Sequence, residues 1–269
     1  MSQIANKFTQ LRMEGRKALI PFITAGDPIP EITVDLMHDL VSAGADLIEL
    51  GVPFSDPMAD GPVIQRASER ALEYQVSLRD VLEMVAQFRQ MDANTPVILM
   101  GYLNPIEVMG YEQFASKAAE AGVDGILVVD IPPEEGGELQ RQLQARGIDQ
   151  IYLVAPTSTS ERIQRICDLA GGFVYYVSIK GVTGASHLDL RSLDAKLDEI
   201  RAATDLPVGV GFGIKDAETA AAVSRCADAV VVGSALVSRV EALADTPEKI
   251  GAALREVLSS MRLAMDKAD

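Results

Sequence analysis

Short runs of β-branched and apolar residues alternate along the chain with longer stretches whose apolar positions recur every three or four residues. The first pattern marks strands and the second marks amphipathic helices. Strands are predicted near Ala18 to Thr24, Leu47 to Gly51, Val97 to Gly101, Gly125 to Val129, Gln150 to Val154, Phe173 to Ser178, Val208 to Gly211 and Ala229 to Val232. Several, such as ILVV and AVVV, are continuously apolar, as parallel strands covered on both faces require. Helical periodicity fills the gaps at Glu31 to Ala43, Leu78 to Met91, Tyr111 to Ala121, Pro133 to Ala145, Ser160 to Leu169, Leu193 to Ala202, Asp216 to Arg225 and Pro247 to Met265, and a further helical pattern begins at Val63. Gly44, Gly122 and Gly147 follow helical runs in AGAD, AGVD and RGID, where glycine takes the left-handed conformation that ends a helix.

Repeated βα units in 269 residues suit a closed α/β barrel, which needs about 250. The expected fold is a single (β/α)8 TIM barrel, one domain over residues 1–269. The segment before Ala18 is expected to form an extra N-terminal helix capping the bottom of the barrel. An open doubly wound sheet is the structural competitor, but no GxGxxG follows the first strand.

Composition narrows the function. No apolar run approaches the roughly 18 residues that span a bilayer, and the first residues lack the apolar core of a signal peptide, so a cytoplasmic location is expected. A net charge of -15 repels polyanions, and a phosphorylated metabolite would have to be held by local donors such as backbone N–H groups at a helix start. Cys167 and Cys226 fall in helical patterns without metal-ligand spacing, which suits reduced packing thiols.

In a barrel of this kind the active site lies at the C-terminal ends of the strands. Glu49 stands inside the apolar strand LIELG, where an ionisable group is costly unless it faces a functional cavity or a salt-bridge partner. The loop VPFSDPMADGP follows, with Asp56 and Asp60 open to two readings, as turn and cap residues or as groups beside Glu49 at the mouth. GVGFGI places Gly209, Gly211 and Gly213 at the end of strand seven, and VVVGSAL places Gly233 and Ser234 at the end of strand eight. Those two loops often bind phosphate in this fold. KGVTGAS, with Gly181, Thr183 and Gly184, is long enough for a lid over the site.

Taken in order, ELGVPFSDPMADGP, GYLNP, DIPPEE, KGVTGA and VGFGI resemble the α subunit of tryptophan synthase, essentially end to end. The resemblance implies cleavage of indole-3-glycerol phosphate to indole and glyceraldehyde 3-phosphate. It implies that indole passes to a β subunit, in an α2β2 heterotetramer, and that pyridoxal phosphate belongs to that partner, with no cofactor or metal in this chain. By resemblance Glu49 is the catalytic acid and then base, Asp60 holds the indole N–H, Tyr175 orients Glu49, and Thr183 closes the lid. An indole ring also needs an apolar slot, for which Phe22, Met100, Tyr102, Leu127, Val129, Leu153, Phe212 and Val232 stand at strand ends. Gly184, Gly213, Gly233 and Ser234 match phosphate-binding positions, and Pro53, Asp56, Asn104 and Pro132 match positions near the face that meets the partner. One departure is Ile179, followed by Lys180, where many members carry arginine two residues before the glycine of GVTGA.

Other chemistries compete with this one. A Schiff-base aldolase would use Lys180 after strand six, but would leave Glu49 and Asp60 without a purpose. A metal-dependent aldolase has only His38 and His187 to draw on. A mainly regulatory, ligand-binding subunit is a third reading, against which intact Glu49 and Asp60 argue.

Overall fold

The computed structural model describes residues 2–177, 190–211 and 213–268. Eight parallel strands close into a barrel in chain order, β1 pairing with β8 through Ala18 and Ala229. They are β1 (Ala18–Thr24), β2 (Ile48–Gly51), β3 (Val97–Gly101), β4 (Gly125–Val128), β5 (Asp149–Val154), β6 (Val174–Val177), β7 (Val208–Gly211) and β8 (Ala229–Val232). Four of them, β1, β3, β7 and β8, keep the boundaries expected from sequence. The open doubly wound alternative is excluded by closure.

Around the barrel run α1 (Gln3–Met13), α2 (Thr33–Ser42), α3 (Pro62–Glu73), α4 (Leu78–Arg89), α5 (Leu103–Met109), α6 (Tyr111–Ala121), α7 (Gly137–Gln144), α8 (Ser160–Leu169), α9 (Leu190–Arg201), α10 (Ala217–Ser224), α11 (Ser234–Ala242) and α12 (Ile250–Met265). The pattern from Val63 is α3. Helices α5 and α11, of 7 and 9 residues, were not foreseen, because so short an element shows too few turns to establish a period. Cys167 is buried on α8, whereas Cys226 falls in the turn after α10 rather than in the helix expected there; both thiols are free.

Side-chain alternation along each strand divides the apolar residues into two cores. The larger lies between strands and helices, and includes Leu50, Leu99, Val128, Val154, Val210 and Val232. The smaller fills the barrel with Ile20, Leu47, Ile98, Leu127, Ile151, Phe173 and Val231, and α1 closes it from below with Ile4, Phe8 and Leu11. The expected N-terminal cap is therefore present. It seats closely: a Cβ on Gly125 would lie 2.8 Å from Ile4 Cδ1.

The N-terminal rim is bound by a repeated charge clamp. Asp46, Asp124 and Asp228 each stand just before an even strand and accept a hydrogen bond from a backbone N–H of the preceding odd strand: Leu19 at 2.9 Å, Val97 at 2.8 Å and Val208 at 3.0 Å. Each also pairs with an arginine from a helix: α12, the last of the chain, for Asp46, α4 for Asp124 and α9 for Asp228. Arg262 lies 3.1 Å from Asp46, Arg89 2.6 Å from Asp124, and Arg201 3.7 Å from Asp228. Gly44 and Gly122 end their helices at φ +103° and +85°, and their bare α-carbons let the stems of Arg262 and Arg89 pass. The glycine signal read from AGAD and AGVD thus has a second cause beyond helix capping.

Removing one partner from a buried, hydrogen-bonded ion pair costs about 3–5 kcal/mol. Asp124→Ala is expected to lower unfolding free energy by about that amount in urea titration. Asp228→Ala, at a more exposed and looser pair, should cost about 1 kcal/mol. Equal losses would mean that the clamps do not depend on burial.

Candidate active site

Glu49 occupies the middle of β2, in register with Phe22 of β1 and Ile98 of β3, and its side chain points into the barrel at 2% exposure. Among the described residues no cation pairs with it. Burial and, second, the nearby Asp60 charge push its carboxyl from 4.5 up to about 8. A structural salt-bridge glutamate would have its ionised form stabilised; this one is held in its neutral form at neutral pH.

Asp60 lies in the loop between β2 and α3. Gly61, not Asp60, is the N-cap of α3, and it makes no side-chain cap bond. The Asp60 carboxylate instead accepts a hydrogen bond from the Tyr102 hydroxyl at 2.9 Å, and that hydroxyl accepts one from the Ala59 N–H at 3.0 Å. Burial raises the Asp60 carboxyl and the tyrosine bond opposes the shift. Gln65, one turn into α3, ties the loop down by donating to the carbonyls of Asp60 at 2.9 Å and Pro57 at 3.3 Å. Tyr102 stacks on Phe54 with ring centroids 5.0 Å apart, so the donor is itself held.

Tyr175 of β6 faces the barrel interior beside Glu49, and desolvation with the Glu49 charge drives its hydroxyl well above the usual phenol value. The space it uses exists because position 211 is glycine: a Cβ there would lie 2.2 Å from the Tyr175 hydroxyl oxygen. Gly51 makes similar room for the Phe22 ring, whose Cζ would lie 2.6 Å from a Cβ. A narrow cleft lies between Phe22, Thr24, Asp60, Ile64, Ser68, Met100 and Tyr102. Leu127, Val129 and Leu153 face the barrel interior. Val232 does not; alternation turns it outward into the core beneath the helices, and its neighbour Val231 takes the inner place.

At the opposite strands, Gly213 has φ +78° and Gly233 is the N-cap of α11, again without a side-chain bond to the first helical N–H groups. Exposed Ser234 begins that helix. Thr183, Gly184 and Phe212 lie outside the described residues, as do Ile179, Lys180, Gly181 and His187. Among the described residues no cluster of histidine, cysteine and carboxylate side chains forms a metal site.

A family model described as tryptophan synthase alpha chain matches residues 8–266. The chain belongs to that family. A tryptophan synthase alpha chain from Thioalkalivibrio sulfidiphilus is 64% identical over 99% of this chain and 100% of its own length. One from Methylococcus capsulatus is 59% identical over the same shares. The solved tryptophan synthase subunit alpha of Legionella pneumophila superposes with a TM-score of 0.93 at 49% identity, covering 99% of each chain. The reaction of this chain is therefore a lyase reaction, the cleavage of indole-3-glycerol phosphate to indole and glyceraldehyde 3-phosphate in tryptophan biosynthesis.

Sequence reasoning missed Gln65, Thr24, Ile64 and Ser68. The last two share a face of α3 with buried Ala67 and Ala71, a spacing of three and four that was legible once the helix was placed. The Tyr102 bond to Asp60 had no sequence signal. Of the positions matched to the partner face, Asp56 and Asn104 are exposed, Pro132 is half-buried, and Pro53 is buried.

The raised Glu49 value has a consequence for stability. The unfolded chain releases this proton near 4.5 and the folded chain near 8, so the contribution is whole below pH 4.5 and is lost as pH rises to 8. Glu49→Gln carries no such loss. Its stability relative to the native chain should climb between pH 5 and pH 8, by at most about 1.4 kcal/mol per pH unit; a difference that stays flat in urea unfolding would show an ordinary carboxyl.

Proposed function

We propose that Glu49 carries both proton transfers of the cleavage. The carbon–carbon bond breaks only after indole C3 is protonated and the adjacent glycerol hydroxyl is deprotonated. A carboxyl that is neutral at pH 7 donates the first proton, and the carboxylate left behind takes the second. The observation that carries this reading is the buried Glu49, without a cation partner among the described residues, with its carboxyl near 8 beside Asp60.

Asp60 accepts the indole N–H and stabilises the positive charge that develops on the ring, a role for a fixed carboxylate. Tyr102 occupies one of its oxygens and holds the other in place. Tyr175 orients Glu49, and Phe22, Met100, Leu127, Val129 and Leu153 form the apolar surround. The phosphate rests on backbone N–H groups of Gly184, Gly213, Gly233 and Ser234 with the Ser234 hydroxyl, a helix-start site that needs no fixed cation in a chain of charge -15. Thr183 closes the lid against the Asp60 loop.

Indole then passes to a β subunit, in an α2β2 assembly whose pyridoxal phosphate belongs to the partner. Asp56, Asn104 and Pro132 lie at that face, beside Met58, which is 86% exposed. A solved tryptophan synthase from M. tuberculosis in its aminoacrylate-bound form, 34% identical with a TM-score of 0.87 over 98% of this chain and 100% of its own, supports the comparison. No helix among the described residues is long and apolar enough to cross a membrane, and we place the enzyme in the cytoplasm.

Release of indole from indole-3-glycerol phosphate, with and without a β subunit, tests the reading. Glu49→Gln should lower kcat by about 10²–10⁴ and Asp60→Asn by about 10²–10³. Partner stimulation should persist in wild type. Undiminished release by Glu49→Gln would remove Glu49 from the chemistry.

A further inference from the structure

Two helices start directly from the two ends of the proposed site. Helix α3 follows Asp60, and α11 follows Gly233. The fully buried face of α3 is small, Ala67, Ser68 and Ala71, with Val63 and Ile64 partly buried beside it. Its contact with α11 runs through a small cluster of Ala67, Val237 and Phe22. Charge supplies the rest. Arg70 on α3 donates from Nε and Nη2 to both oxygens of Asp27, at 2.6 and 3.0 Å, and from Nη1 to Glu241 on α11 at 3.2 Å. Glu241 also accepts from Arg66 of α3 at 2.9 Å. Asp27, in the loop after β1, is 3% exposed, and burial pushes its carboxyl upward against the pull of Arg70. A buried carboxylate in a two-pronged guanidinium grip fixes direction as well as distance.

We propose that Arg70 is a positioning residue: by bridging Asp27 and Glu241 it sets the spacing between the indole end of the site at Asp60 and the phosphate end at Gly233 and Ser234. This rests on the reading of those two ends given above. A network that only stabilised the barrel would weaken all ligands alike. A spacer acts selectively, because a ligand touching one end is indifferent to where the other end lies.

The test compares indole, inorganic phosphate, and an unreactive indole joined to phosphate through a saturated chain, by calorimetry on the full chain. In wild type the joined ligand should bind far more tightly than either fragment. In Arg70→Met, the fragments should change by less than about twofold, while the joined ligand weakens about tenfold or more and kcat falls with it, since small misplacement is costly. Arg70→Lys, which keeps the charge but not the fork, should fall between. Glu241→Gln, at a more exposed site, gives the same selective weakening in smaller measure and serves if Arg70→Met does not fold. Proportionate weakening of all three ligands, or no weakening, overturns the proposal. Failure of the joined ligand to outbind its fragments in wild type overturns the two-ended reading itself, and the spacing inference with it.

Discussion

The arrangement depends on keeping one carboxyl group out of water. Glu49 lies where alternation along β2 points it inward, in a closed barrel whose neighbouring positions are apolar. Desolvation raises its carboxyl to about 8, and that value makes one group able to give and then take a proton near neutrality. The destabilisation that accompanies a buried acid is tolerated because the surrounding barrel is stabilised elsewhere.

Stability and chemistry are segregated to opposite ends. The N-terminal end has the α1 plug and the aspartate–arginine clamps, which satisfy strand N–H groups and cross from helix to strand. The C-terminal end has few such ties: the Asp60 loop is held by Tyr102 and Gln65, and α3 by small residues and Arg70. A loop attached at a few defined points keeps Asp60 in place without burying the loop as a whole.

Electrostatics follow the same division. The chain is strongly acidic, yet the start of α11, at the proposed phosphate end, offers uncapped N–H groups. Backbone dipoles act at short range, so they hold an anion already seated without reversing the sign of the whole surface.

Much of the fold was legible because its signals are local. Short continuous apolar runs, helical spacing of apolar residues, a glycine after a helical run, and a glutamate within LIELG are all readable within a few residues, and they gave the eight strands, the capping helix and Glu49. The sequence by itself determined the order of elements and which residues could face the barrel. It did not determine what met across it. The Tyr102 bond to Asp60, the Arg262 grip on Asp46, the fit of Tyr175 against Gly211 and the Arg70 bridge join residues far apart in the chain. The outward turn of Val232 could have been read from alternation with Val231, but its place at a strand end suggested a pocket-lining role. Only closure of the barrel decided the long-range pairs, because it brings distant strands and helices within hydrogen-bonding range, and no local periodicity encodes which partners then touch.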